Sequence, residues 1–286
     1  MPINLHNIQV TKASGQKAPF DKGRLKQSLL RAGAAPEQAN EILAKVMDLL
    51  VEGMSTRKIH KTAFRLLRNL SRPVAARYKL KHAIMELGPS GFPFEQFIAE
   101  LLKHRGYKVQ VGTIVKGFCV NHEIDVIAEQ DENQFMIECK FHNRLGYISD
   151  IKIPLYIHSR FLDVERQWIK SDAQKLYQGW VVTNARFSKD AAQYGQCMNL
   201  HLVGWDYPQY EGLKEWIDHS GLYPVTCLTT LTNKEKQTLL DKKIVLCKML
   251  NHNQTLLESI GIEPPRLQKV LDECFVLCEK LQTISY

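Results

Sequence analysis

Residues 123–140 read EIDVIAEQDENQFMIECK. Ile124, Val126 and Ile127 make the first six residues a strand, QFMIECK makes a second, and the polar EQDEN between them is turn chemistry, so an antiparallel hairpin is expected. Successive strand side chains point to opposite faces, which puts Glu138 and Lys140 on one face and Cys139 on the packed one. With Asp125 on the other arm, two carboxylates and an ammonium can converge. A hard divalent cation such as Mg²⁺ or Mn²⁺ takes oxygen ligands, here Asp125, Glu138 and the backbone carbonyl of Cys139. Such an ion acidifies bound water and neutralises phosphodiester charge, while Lys140 would orient the attacking water. On its own an ExK triplet is usually a salt-bridging pair on an exposed strand, so its context decides.

Upstream, FPFEQFIAELLKHRGYKVQVG (92–112) predicts a helix with Phe94, Phe97, Ile98, Leu101 and Leu102 inward, ending at Gly106 before a strand. Downstream, a helix is predicted from about Pro154, followed by GWVVTNARFSKDAAQYGQCMNLHLVGWDYP (179–208), which reads strand, helix, strand. This series resembles the PD-(D/E)xK nuclease superfamily, in the restriction-endonuclease branch related to Mrr, over about residues 92–218. The resemblance implies a mixed sheet flanked by helices and a Mg²⁺-dependent endodeoxyribonuclease. In it Glu95 matches the first-helix glutamate, Asp125 the metal-binding acid, and Glu138 with Lys140 the ExK pair, where the branch often carries Gln at the first of these positions. Glu95 also has a structural reading, as a first-turn acid favoured by the helix dipole. His142, two beyond Lys140, and Arg160 are candidate DNA contacts, although a water-exposed loop histidine reads the same way.

LGPSGFP (87–93) forbids a continuing helix and marks a domain boundary. Before it, short strands flank Ser14-Gly15 and helices follow at 21–33, 36–53 and 55–70, the last with Ser55 or Thr56 as N-cap. In that helix Ile59, Ala63, Leu66, Leu67 and Leu70 form an apolar stripe, and Arg57, Lys58, Lys61, Arg65 and Arg68 populate the other side. VTKASGQKAPFDKGRLKQSLLRAG (10–33), GMSTRKIH (53–60) and VAARYKLKHAIMELGPSG (74–91) follow the order and spacing of the ATP-cone domain, a nucleotide-binding regulatory module, which the chain resembles over about residues 6–90. By that resemblance Val10, Lys12, Lys22 and Thr56 contact ATP or dATP, and nucleotide-dependent self-association into a homo-oligomer is expected; Ala13 stands where the family often has a second basic residue. There is no GxxxxGK[ST] loop, so turnover of that nucleotide is not expected.

The 286 residues exceed one typical domain. Residues 1–89 hold 16 Lys+Arg against 6 Asp+Glu, a net of +10, and the remainder nets −2, so the basic end should attract polyanions. Seven cysteines without a CxxC pair suggest reduced thiols, and Cys274 and Cys278, four apart, read as an apolar helix face. No signal-peptide pattern opens the sequence and no run of about 18 apolar residues occurs, so membrane insertion is not expected and the cytoplasm is. Beyond Pro224, 231–250 and 253–281 read as helical, with Thr232 and Asn233 as caps and Gly261-Ile262 in a tight connection. LLESIGI in the second is similar to one arm of a helix-hairpin-helix unit, but the tail nets only +1, and packing or dimerisation reads as well as DNA contact.

The expected architecture is therefore an α/β multidomain chain: an ATP-cone at 1–89, helical with a small β-hairpin; a restriction-endonuclease-like domain at 92–220; and a helical appendage at 221–286. The expected activity is DNA cleavage gated by an adenine nucleotide. The competing readings are a noncatalytic nucleotide-sensing DNA-binding regulator and a DNA-junction resolvase.

Overall fold

The Ser14-Gly15 turn closes a hairpin of β1 (Gln9–Thr11) against β2 (Lys17–Pro19), with Val10 opposite Ala18, in the computed structural model, which describes residues 8–171, 176–251 and 253–279. Helices α1 (Lys22–Arg31), α2 (Pro36–Asp48) and α3 (Thr56–Leu70) follow, then two short ones, α4 (Arg72–Tyr78) and α5 (Leu80–Met85). Side-chain caps set two of the starts. Asp21 accepts from the Arg24 N–H at 2.8 Å, and Ser55 accepts from the Lys58 N–H at 3.2 Å. Leu25, Leu29, Ile42, Val46, Ile59, Ala63 and Leu67 form one buried core with Ile8 and Val10. The expectation that no signal peptide opens the sequence falls in part on residues 1–7, which lie outside the described residues.

The second layer system begins with α6 (Phe92–His104) and β3 (Lys108–Lys116), β4 (Asn121–Gln130) and β5 (Asn133–Lys140). The 123–140 hairpin forms as expected, antiparallel with Val126 opposite Ile137, and its turn residues Asp131 and Glu132 both take positive φ, 48° and 66°. After the two-residue strand β6 (Ile148–Ser149), helix α7 (Lys152–Ser171) crosses to β7 (Tyr177–Thr183), which pairs parallel with β5. Then β8 (Arg186–Phe187), α8 (Lys189–Cys197) and β9 (His201–Val203) complete a mixed sheet of order β3-β4-β5-β7-β9, with β6 and β8 paired beside it. The order explains why β5 and β7 are almost wholly buried. They are the inner strands, with α7 and α8 on one face and α6 and α9 (Leu213–Ser220) on the other. On the first face Ile124, Met136, Ile157, Phe161, Val181 and Leu202 pack together. Gly195 allows α8 this approach, since a Cβ there would stand 2.5 Å from Leu202 Cδ1.

The C-terminal stretch differs from the expectation at one point. The helix expected over 231–250 is α10 (Asn233–Asp241), which stops where Lys243 takes φ +60° and the Ile244 N–H donates to the Leu239 carbonyl at 2.9 Å; only a 3-10 turn over Cys247–Leu250 follows. Leu246 then forms an antiparallel bridge with Pro224. The second stretch forms α11 (Gln254–Ser259) and α12 (Arg266–Cys278), parted at the expected tight connection, where Gly261 takes φ +83°. Its last expected residues, Lys280 and Leu281, lie outside the described residues.

The described chain divides into two compact units, one from residues 1–83, 227–236 and 247–286, the other from 84–226 and 237–246. In the first, α12 packs on α4, and the Arg77 guanidinium donates to the Val276 and Glu279 carbonyls at 2.8 and 3.2 Å, a cation on the carbonyl end of a helix. No helix among the described residues is long and apolar enough to cross a membrane.

Candidate active site

The β4–β5 ladder ends at the Val126–Ile137 pair. Beyond it β4 continues against β3, while β5 continues against β7. The two strands fork there, and Asp125 and Glu138 sit at the fork. Asp125 closes it with its side chain, Oδ2 accepting from the Cys139 N–H at 2.7 Å, in place of a ladder bond. Glu138 is 1% exposed. Its Oε2 lies 3.5 Å from Lys140 Nζ and its Oε1 lies 2.6 Å from Arg160 Nη1 of α7. That last approach is an ion pair without hydrogen-bond alignment, and Oε1 accepts no hydrogen bond.

Glu95 enters from α6. The chain leading into that helix passes so close to the end of β5 that a Cβ on Gly88 would meet the Phe141 ring at 2.5 Å, and Phe94 packs on Phe141 with centroids 5.6 Å apart. This seats the first turn of α6 beside Lys140. Burial holds the Glu95 carboxyl at about 7, helped by the charges of Asp125, Glu123 and Glu138. Burial also holds Glu138 at about 7, with Asp125 adding and Arg160 and Lys140 opposing, and raises Asp125. The sequence-predicted set Glu95, Asp125, Glu138 and Lys140 is thus gathered into one electrostatic neighbourhood. Asp125 raises both glutamates and Glu138 adds to the rise of Glu95, while Lys140 and Arg160 offset part of the negative charge; clustered carboxylates of this kind are the chemistry of a hard-cation site.

The donor set fits Mg²⁺ or Mn²⁺ in that its atoms are hard oxygens, with Arg160 Nη1 holding Glu138 Oε1 at 2.6 Å where a cation would stand. Among the described residues no group of three or more His, Cys, Asp and Glu side chains is close enough to hold an ion. The fit therefore rests on Asp125, Glu138 and the Cys139 carbonyl, with Glu95 beside them. The Cys139 thiol is 6% exposed and burial drives its ionisation far up, so its sulfur is no ligand in this environment.

Arg160, a candidate DNA contact from the sequence, lies at the carboxylate cluster. It is turned inward on Glu138 and also donates to the Glu123 carbonyl, because a buried carboxylate draws the nearest guanidinium. His142 stacks on Tyr147 at 3.8 Å between centroids, and its Nε2 lies 3.4 Å from Ser149 Oγ; burial, then Lys140, lowers its basicity. Sequence reasoning missed the residues that hold this strand end. Asn184 clamps the His142 backbone twice, Oδ1 accepting from its N–H at 2.8 Å and Nδ2 donating to its carbonyl at 2.7 Å, while Thr183 Oγ1 donates to the Lys140 carbonyl at 2.6 Å. The signal was the polar pair Thr183-Asn184 ending an apolar strand. His122 belongs elsewhere: with the Cys119 and Val120 N–H groups it binds Asp163, latching the β3–β4 loop to α7.

In the other unit, the turn before α3 is stitched to β1. The Thr11 N–H donates to the Met54 carbonyl at 3.1 Å and the Gly53 N–H to the Gln9 carbonyl at 2.8 Å, with Thr11 bridged to Ser55. Val10 and Lys12 thereby flank the α3 N-terminus, where Thr56 is the first helical residue and free N–H groups suit a phosphate. Val10 is buried; the Lys12 ammonium donates to Gln16 Oε1 at 3.2 Å. Lys22 opens α1, which Asp21 caps.

Comparison with known proteins finds three family models in succession along the chain. A model of the ATP cone domain matches residues 8–83, one described as restriction endonuclease matches 88–209, and one described as AF1548-like, C-terminal matches 223–278. An uncharacterized protein of Archaeoglobus fulgidus is 36% identical over 177 residues, 62% of this chain and 97% of that one. The crystal structure of a protein of unknown function, AF1548, is 33% identical with a TM-score of 0.55, covering 66% of this chain and 98% of its own.

Proposed function

The chain belongs to the AF1548 family, and from that premise we propose that it is a metal-dependent DNA endonuclease whose activity is regulated by ATP or dATP on its cone. The observation that carries this is the fork between β4 and β5, where half-buried Asp125 and buried Glu138 stand together beside Lys140 and Glu95. Asp125, Glu138 and the Cys139 carbonyl would hold Mg²⁺ or Mn²⁺, which supplies an acidified water and charge neutralisation at phosphate. Lys140, on the same strand face as Glu138, orients the attacking water and donates to the crowded phosphate oxygens. Glu95, near neutrality in its proton affinity, takes or returns a proton at pH 7. Asn184 and Thr183 fix the backbone carrying Lys140 and His142, and so the aim of the ammonium. Val10, Lys12, Lys22 and Thr56 bind the nucleotide's base and phosphates.

Functionally we assign 1–89 to sensing, 92–220 to cleavage and 221–286 to a helical appendage; the Arg77 contact with the end of α12 supports a structural tie between appendage and cone. The test is cleavage of plasmid, linear and branched DNA with Mg²⁺ or Mn²⁺, with and without ATP and dATP, beside Glu138→Ala and Lys12→Ala. Cutting lost in the first variant and nucleotide response lost in the second are expected; equal cutting by Glu138→Ala overturns the site. Preference for branched DNA would identify a junction resolvase. One observation favours a second reading: Arg160 neutralises Glu138 without any metal, as in a nuclease fold kept as a noncatalytic DNA-binding platform. DNA and nucleotide binding with no cutting under any condition would establish it.

A further inference from the structure

The buried stripe of α3 is Ile59, Ala63 and Leu67. Its opposite flank carries Lys58, Lys61, Arg65 and Arg68 at i, i+3, i+7 and i+10, a single helical row. All four are exposed, and they line a groove of about 560 Å³ floored by Leu49 and Phe64. A merely solvated helix face mixes acids among its bases, as α2 does with its Glu41–Lys45 pair at 2.6 Å. Helix α3 has five cations and no acid, and among the described residues none of the four in the row makes an ion pair. Like charges one turn apart destabilise a helix, so the row carries a cost that only an anionic partner removes.

We propose that this groove binds the sugar-phosphate backbone of DNA, with one strand running along α3. The inference rests on DNA being the chain's substrate, as proposed above. Length selects the occupant. Ten residues of helix span about 15 Å, and one strand of duplex places a phosphate about every 3.4 Å of axis, so about four phosphates lie along the row. A single nucleotide has too short a phosphate chain to meet all four cations. Leu49, half exposed at 51%, and Phe64 offer the deoxyribose edges an apolar floor, which a purely electrostatic surface lacks.

The test measures binding of the full chain to a fluorescein-labelled duplex by anisotropy, in EDTA so that nothing is cut, across a series of KCl concentrations. Each cation that meets a phosphate contributes about 0.9 to the slope of log affinity against log salt. The expected result is a slope reduced by about 3.6 in the variant Lys58→Gln/Lys61→Gln/Arg65→Gln/Arg68→Gln and by about 1.8 in Lys61→Gln/Arg65→Gln, with ATP binding by calorimetry unchanged. The double variant decides the matter if the quadruple one does not fold. An unchanged slope overturns the proposal, as does loss of ATP binding with DNA binding intact, which would make the groove a nucleotide site. Absence of DNA binding by the unmodified chain also overturns it. Cleavage lost in Glu138→Ala is scored separately, so the groove can fail while the nuclease reading stands.

Discussion

Replacing Arg160 by Met removes the positive partner of Glu138 while keeping most of the stem volume, and the structure sets both the size and the pH dependence of the effect. Glu138 is 1% exposed and its carboxyl already sits at about 7 with Arg160 2.6 Å away. Breaking a buried ion pair costs about 3–5 kcal/mol when the orphaned charge must stay ionised. Here the carboxyl has an escape, since it can take a proton. Its folded-state value lies above its unfolded value, so the folded state binds the extra proton and this group lowers stability as pH rises from about 4.5 through 7. Without Arg160 the folded-state value moves higher and the window extends to more alkaline pH, at about 1.4 kcal/mol per unit of further rise. At pH 5 Glu138 is largely protonated in either protein, and the variant should lose about 1 kcal/mol, mainly from the hydrogen bond to the Glu123 carbonyl. At pH 8 the loss should be about 2–3 kcal/mol. Urea unfolding in EDTA at both pH values reads the difference. Equal losses at pH 5 and pH 8 would refute the argument that Glu138 is a buried acid held charged by Arg160.

Asn184→Ala removes both clamps on the His142 backbone at a 5%-exposed position, so we expect about 1–3 kcal/mol of lost stability together with slower cleavage, measured by urea unfolding and single-turnover kinetics. His60 lies between Tyr78 and His82, 4.4 and 4.5 Å from their rings, and burial, with the charge of His82, lowers its pKa to about 4. Its contribution is complete above pH 6.5 and lost as pH falls through 4, because the unfolded state takes the proton first; a His60→Phe variant should flatten this decline in unfolding free energy, read by urea titrations across pH, by up to about 3 kcal/mol in total. Gly195→Ala should destabilise by about 1–3 kcal/mol through overpacking of α8 on Leu202, and an unchanged melting temperature would show that the helix gives way freely.

The sequence by itself determined the features that depend on neighbours along the chain. The 123–140 hairpin follows from alternation around a polar turn, the start of α3 from the Ser55-Thr56 pair that offered its cap, and the break before α6 from two Gly and two Pro in seven residues. It also gathered Asp125, Glu138 and Lys140 onto one hairpin, because strand period and turn length are local quantities. The pairing of β5 with β7 and β9, the burial of both sheet faces, and the arrival of Arg160 on Glu138 join residues tens of positions apart. No local period encodes such partners; they are selected when distant surfaces exclude water together. For the same reason Asn184 and Thr183 read as ordinary strand-exit residues until the fold brought them against His142 and Lys140. The fork at Asp125 was decided there too, since where β4 and β5 part depends on which third strand each one meets.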